Sequence, residues 1–151
     1  MHVANYLGLV HQSEVELADA YREVAAHHGD EPDIFVMCHK LAAQCDRHSA
    51  MLAPFVARYG EEGSDEPDQL HSELFGGTRT GGLGLLRDLH DLFLMATEVD
   101  ISWIVIGQAA QGLRDKDLLA TVAACDRETG VQLKWIKSRM KQAAPQTLIV
   151  A

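Results

Sequence analysis

Apolar positions recur at helical spacing over four long stretches of the chain, each about 26 to 30 residues and so roughly 40 Å of helix. The first, over residues 3–28, places Tyr6, Val10, Leu17, Ala20 (or Tyr21) and Val24 on one face. The second, 32–59, carries Ile34, Cys38, Leu41, Cys45, His48, Leu52 and Phe55, with steps alternating four and three. That is the seam by which helices pack in bundles. The third, 84–113, reads Leu86, Leu89, Phe93, Ala96 (or Thr97), Asp100, Trp103 (or Ile104) and Gly107. The fourth, 115–143, reads Leu118, Val122, Cys125, Thr129, Gln132 (or Leu133), Ile136 and Met140. Periodicity leaves the third helix free to rotate by one position, and that rotation decides whether Glu98 or Asp100 faces inward.

Punctuation agrees with the pattern. Gly29 and Asp30 stop the first helix, and Pro32 opens the second. Gly60 ends the second, Pro54 inside it predicts a kink near Ala50, and Pro145 closes the fourth. The turns after the first and third helices are short, so each pair forms an antiparallel hairpin. The link over 61–83 is long and glycine-rich, with room for a short helix over 68–75. Extended chain covers about 3.3 Å per residue, so such a link can travel the length of a bundle. The expected fold is all-α: one domain over 1–151, a four-helix bundle of two hairpins joined by a long crossover.

Composition narrows the function classes. The chain has 151 residues, 47% apolar, with a formal net charge of −9. An acidic chain without a basic cluster lacks what phosphate recognition needs, so nucleic acid is not an expected partner. The same balance disfavours an anionic membrane surface, and no uninterrupted run of about 18 apolar residues occurs. Three cysteines, Cys38, Cys45 and Cys125, match no disulfide framework and point to a reducing cytoplasm. The apolar tail after Gln146 is expected to pack on the bundle or on a second copy, making a homodimer. The glycines over 76–84 lack the strand and the Lys-Ser/Thr of a phosphate loop and read as a connector.

The sharpest chemical feature is Cys45-x-x-His48, two metal-capable residues three apart on one helix face. Mirroring the first hairpin about its turn brings Glu14 and Glu16 level with this pair. Mirroring the second brings Glu98 and Asp100 level with Cys125, Glu128 and Thr129. Two helical hairpins, a long crossover and mid-helix acids resemble the ferritin-like superfamily, which includes ferritin and rubrerythrin. Within the last two helices, GQAAQGLRDKDLL and LKWIKSRMKQAAPQ are also similar to small bacterial ferritin-like proteins. The resemblance implies a pair of iron or manganese ions held by a Glu from each of two helices and a Glu-x-x-His from each of the others.

The chain departs from that pattern. Cys45 stands where the second helix would carry Glu, and the fourth has Cys125-x-x-Glu128. A standard ferroxidase is therefore not expected. Two metal readings follow: a divergent or vestigial iron or manganese site of Glu16, His48, Glu98 and Glu128, linked to redox chemistry, or a zinc or copper carrier or sensor site of Cys45, His48 and Cys125. A third reading has no metal at all: the cysteines fill the core as small hydrophobes, His48 is bonded to Glu14 or Glu16, and the bundle serves as a binding or assembly module.

Overall fold

The computed structural model describes residues 1–60 and 70–150. Four α-helices account for most of them: α1 (Val3–His27), α2 (Pro32–Gly60), α3 (Gly81–Leu113) and α4 (Lys116–Pro145), followed by a single π-helical stretch, Gln146–Val150. Residues 61–69 of the expected crossover, and the final residue of the tail, lie outside the described residues. No strand occurs among those described, and the architecture is an all-α four-helix bundle.

Polar contacts fix how the helices run. Arg139 near the end of α4 meets Asp33 at the start of α2, at 2.6 Å. At the opposite ends, Tyr59 of α2 donates to Asp115 ahead of α4 at 2.6 Å. Helices α2 and α4 are therefore antiparallel neighbours. His28, just past α1, meets Asp88 near the start of α3 at 2.8 Å. Tyr6 and Leu9 of α1 line the same groove as Ile101 and Ser102 of α3, so α1 and α3 also run antiparallel. Consequently α2 finishes at one end of the bundle and α3 begins at the other.

The inward row expected on α2 is buried throughout, from Ile34 to Phe55. On α4 it is buried from Leu118 to Ile136. Together these rows and their counterparts form one apolar core, held chiefly by the removal of hydrocarbon from water at about 25 cal/mol per Å2. On α3 the expected Leu86, Leu89, Ala96, Trp103 and Gly107 are buried, but two positions of the row differ. Leu92, Val99 and Ile106 are fully buried, while Phe93 and Asp100 are only partly so. Val99 thus takes the central position between Glu98 and Asp100, and neither acid faces the middle of the bundle.

Local chemistry explains the helix ends. Asp115 caps α4, its side chain accepting from the Leu118 amide at 3.0 Å, which satisfies one of the free N–H groups of the first turn. Arg114 turns the chain in the left-handed region, φ 55°, and donates its amide back to the end of α3. Helix α2 continues through Pro54.

The short helix expected over 68–75 is absent from residues 70–75, and the whole of 70–80 is irregular. Distance accounts for this. The segment passes from the level of Ile101, beside Leu70, to that of Asp88, beside Arg79. Thirteen helical residues of α3 span about 20 Å, which nine residues of continuous helix, at roughly 13 Å, do not reach and a partly extended segment does.

By length and composition α3 would be able to cross a membrane. Its most apolar 18-residue window has mean hydropathy 1.4, and 44% of that window is buried in the bundle. Polar residues such as Glu98 and Asp100 interrupt it, so no unbroken apolar run marks it in the sequence. The excess lies on a second, outer apolar face with Leu94, Ile101, Ile104 and Val105.

Candidate functional site

A layer of polar groups crosses the apolar core at mid-bundle. His48 is fully enclosed, with both ring nitrogens engaged. Nδ1 faces Glu14 Oε1 of α1 at 2.9 Å, and Nε2 faces Glu128 Oε1 of α4 at 3.2 Å. A neutral imidazole has one donor and one acceptor nitrogen, so only the imidazolium satisfies two carboxylates at once. Arg47, next to His48, donates to the other oxygen of Glu128 at 3.0 Å. Trp103 of α3 closes the fourth side, its ring edge-on to the imidazole with centroids 6.1 Å apart. All four helices therefore meet at His48.

The periodic rows place these groups. On α1 the buried series Val10, Glu14, Leu17, Tyr21 and Val24 advances by fours and threes. On α4, Glu128 borders the series Cys125, Thr129 and Gln132 and stays about a third exposed. One turn along, Gln132 accepts from Tyr21 Oη at 3.0 Å and donates to Gln44 at 3.1 Å. The Cys45 thiol lies 3.9 Å from the Gln132 carbonyl oxygen. Two buried polar atoms around His48 have no hydrogen-bond partner, the acceptor Glu14 Oε2 and the donor Trp103 Nε1.

Electrostatics follow from this geometry. Burial alone would depress the His48 pKa. The hydrogen bond and charge of Glu14, then those of Glu128, outweigh it and raise the value above 6.5. The thiols move the other way from reactivity. Burial, then the charge of Glu14, raises Cys45. Burial followed by Glu14 and Glu128 pushes Cys125 up to about 12, and burial followed by Asp33 does the same for Cys38. All three are free, buried and protonated at neutral pH.

The six expected ligands divide into two groups. Cys45, His48, Cys125 and Glu128 gather around Glu14 in the core. Glu16 and Glu98 do not join them. They face the α1–α3 side, where Glu16 pairs with His71 of the crossover at 3.0 Å. Glu98 stands nearby, its pKa raised by burial, lowered in part by His71 and raised again by Glu16. Glu16 lies two positions along from Glu14, about 200° around the helix, which carries it off the inward row. Asp100, on the other side of Val99, is raised by burial and by Asp126 of α4. Among the described residues, no three His, Cys, Asp or Glu side chains converge in a metal-holding arrangement.

A second buried polar cluster, at the bundle end, forms around His28. Its ring bonds Asp88, a fully buried carboxylate that also accepts the Arg79 backbone amide at 3.0 Å and the Arg79 guanidinium at 2.8 Å. The same guanidinium reaches Asp91 at 2.9 Å. The signal lay in Asp88 and Asp91, three apart at the start of α3.

Compared with family models, curated proteins and solved structures, the chain gives no match.

Proposed function

We propose that this chain is a ferritin-like protein whose mid-bundle metal position is vestigial, taken over by a proton-bearing histidine, and that it acts in the cytoplasm as a helical binding and assembly module rather than as a ferroxidase. The observation that carries the reading is His48 bonded through both ring nitrogens to Glu14 and Glu128. A ligating histidine keeps one nitrogen for the metal and offers the other to an orienting carboxylate. Here the second position is also used.

Charge supports it too. Glu14 and Glu128 against His48 and Arg47 sum to zero, so the layer needs no divalent ion to be neutral. The antiparallel pairing of α1 with α3 and of α2 with α4 is compatible with a ferritin-like crossover. Three free buried thiols suit a reducing compartment. Exposed Ile104 and Val105 on α3, with Leu148, Ile149 and Val150, supply surface for self-association as a homodimer.

A second reading rests on Glu14 Oε2. A fully buried carboxylate oxygen without a donor is a place for a cation. In that reading His48 Nε2 and Glu128 are ligands of a divergent site for iron or manganese, or for zinc or copper with Cys45 and Cys125 beside them.

Metal analysis of protein purified without chelator, after growth with iron, manganese, zinc and copper, separates the two. The vestigial reading expects less than about 0.1 ion per chain. Iron or manganese near two per chain, or zinc or copper near one, lost in His48→Ala, overturns it.

A further inference from the structure

Between the first turns of α1 and the middle of α3 lies an open groove of about 470 Å3, away from the His48 layer and independent of how that layer works. Its walls are Tyr6 and Leu9 of α1, Leu94 and Ile101 of α3, and Leu70 and Leu74 of the crossover. Leu94 and Ile101 are more than half exposed, and Leu74 is 37% exposed. This is a volume and a lining that suit a small ligand.

One carboxylate lines it, Glu98. The two aliphatic hydroxyls of the lining are occupied: Thr97 donates to the Phe93 carbonyl at 2.7 Å and Ser102 to the Glu98 carbonyl at 2.8 Å. Glu98 itself has no donor or cation bonded to it among the described residues. Its charged neighbours are His71 and Glu16, and the His71 Nε2 already serves Glu16. A carboxylate half-withdrawn from water with no cation of its own leaves charge uncompensated beside exposed hydrocarbon.

We infer that this groove binds a cationic amphiphile, an alkyl or aryl amine whose hydrocarbon lies on the leucine and isoleucine walls and whose ammonium bonds Glu98. The ammonium supplies the donor and the charge that the carboxylate lacks, and the hydrocarbon covers Leu94 and Ile101. Burial raises the Glu98 pKa, so a bound cation lowers it again and binding tightens as pH rises through the carboxylate range.

The test uses decylamine, decanol and decanoate below their micellar concentrations, followed by amide chemical shifts of the isotope-labelled full chain. The expected result is one decylamine per chain, with shifts centred on Leu94 and Ile101. Its affinity should exceed that of decanol by about tenfold, with decanoate weakest. In Glu98→Gln, checked for an unchanged melting temperature, the amine should fall to within about twofold of the alcohol while the alcohol is unaffected. The inference is overturned by equal affinity for amine and alcohol in the wild type, by an unchanged amine affinity in Glu98→Gln, by shifts elsewhere, or by no binding of any of the three.

Discussion

Two buried histidines, His28 and His48, each sit against a carboxylate at under 3 Å, yet their surroundings differ in kind. At the bundle end, Asp88 is saturated: a ring nitrogen, a backbone amide and a guanidinium all bond it, using both of its oxygens. That arrangement fastens the irregular segment 70–80 to the start of α3 and leaves nothing for a ligand. At mid-bundle the donor supply runs short. His48 serves two acids at once, and Glu14 keeps an oxygen without a partner. Complete satisfaction is the mark of a fastening, whereas a shortage of donors in a buried layer marks a position where a proton, or an ion, carries the load.

The contrast can be broken most forcefully at His48. His48→Ala leaves a cavity and two acids facing one another, and should lower unfolding free energy by about 4 kcal/mol. Replacing Glu14 and His48 together by leucine should recover most of that loss, because an apolar pair needs no donors. Urea melts of both variants check this, and a double variant as unstable as the single one would mean that the layer is indispensable to packing. Asp88→Ala comes next, at about 3 kcal/mol, from His28 and the Arg79 amide losing their acceptor. Limited proteolysis should cut 70–80 faster in this variant and not in His48→Ala, which separates fastening from centre.

A pH series sharpens the comparison further. The folded pKa of His48 lies above its ordinary 6.5. Its contribution is therefore fully present below that value and is lost as pH rises through the folded pKa. Wild-type stability relative to His48→Gln should decline from pH 6.5 upward, and a flat difference would mean that the ring is neutral at all these pH values. Glu128→Gln should have the smallest effect, about 0.5 kcal/mol, since Glu128 is a third exposed and water can replace it at Arg47. A loss above about 2 kcal/mol would place Glu128 on a par with Glu14.

Much of this was legible in the chain. On α2 and α4 a single apolar row alternates by fours and threes, so the inward positions, His48 included, follow from spacing alone. Glu14 was equally readable from the series Val10, Leu17, Tyr21 and Val24, which passes through it and leaves Glu16 outside. Helix α3 resisted because it is apolar on two faces. With Leu92, Val99 and Ile106 on one row and Phe93 and Gly107 on the next, periodicity has no single phase, and burial of Val99 decides it. The partners supplied by 70–80, His71 and Arg79, were hidden for another reason. An extended connector has no period, and its contacts depend on where neighbouring helices happen to stand.

Trp103 gives the bundle an optical reporter of its own centre. Its indole is sealed from solvent and meets the His48 ring edge-on. A protonated imidazole accepts an electron from an excited indole, whereas a neutral one does so poorly. Emission from Trp103 should therefore brighten as alkali removes the His48 proton, with partly exposed Trp135 as an internal reference, and the charge state of a sealed layer becomes visible from outside as light.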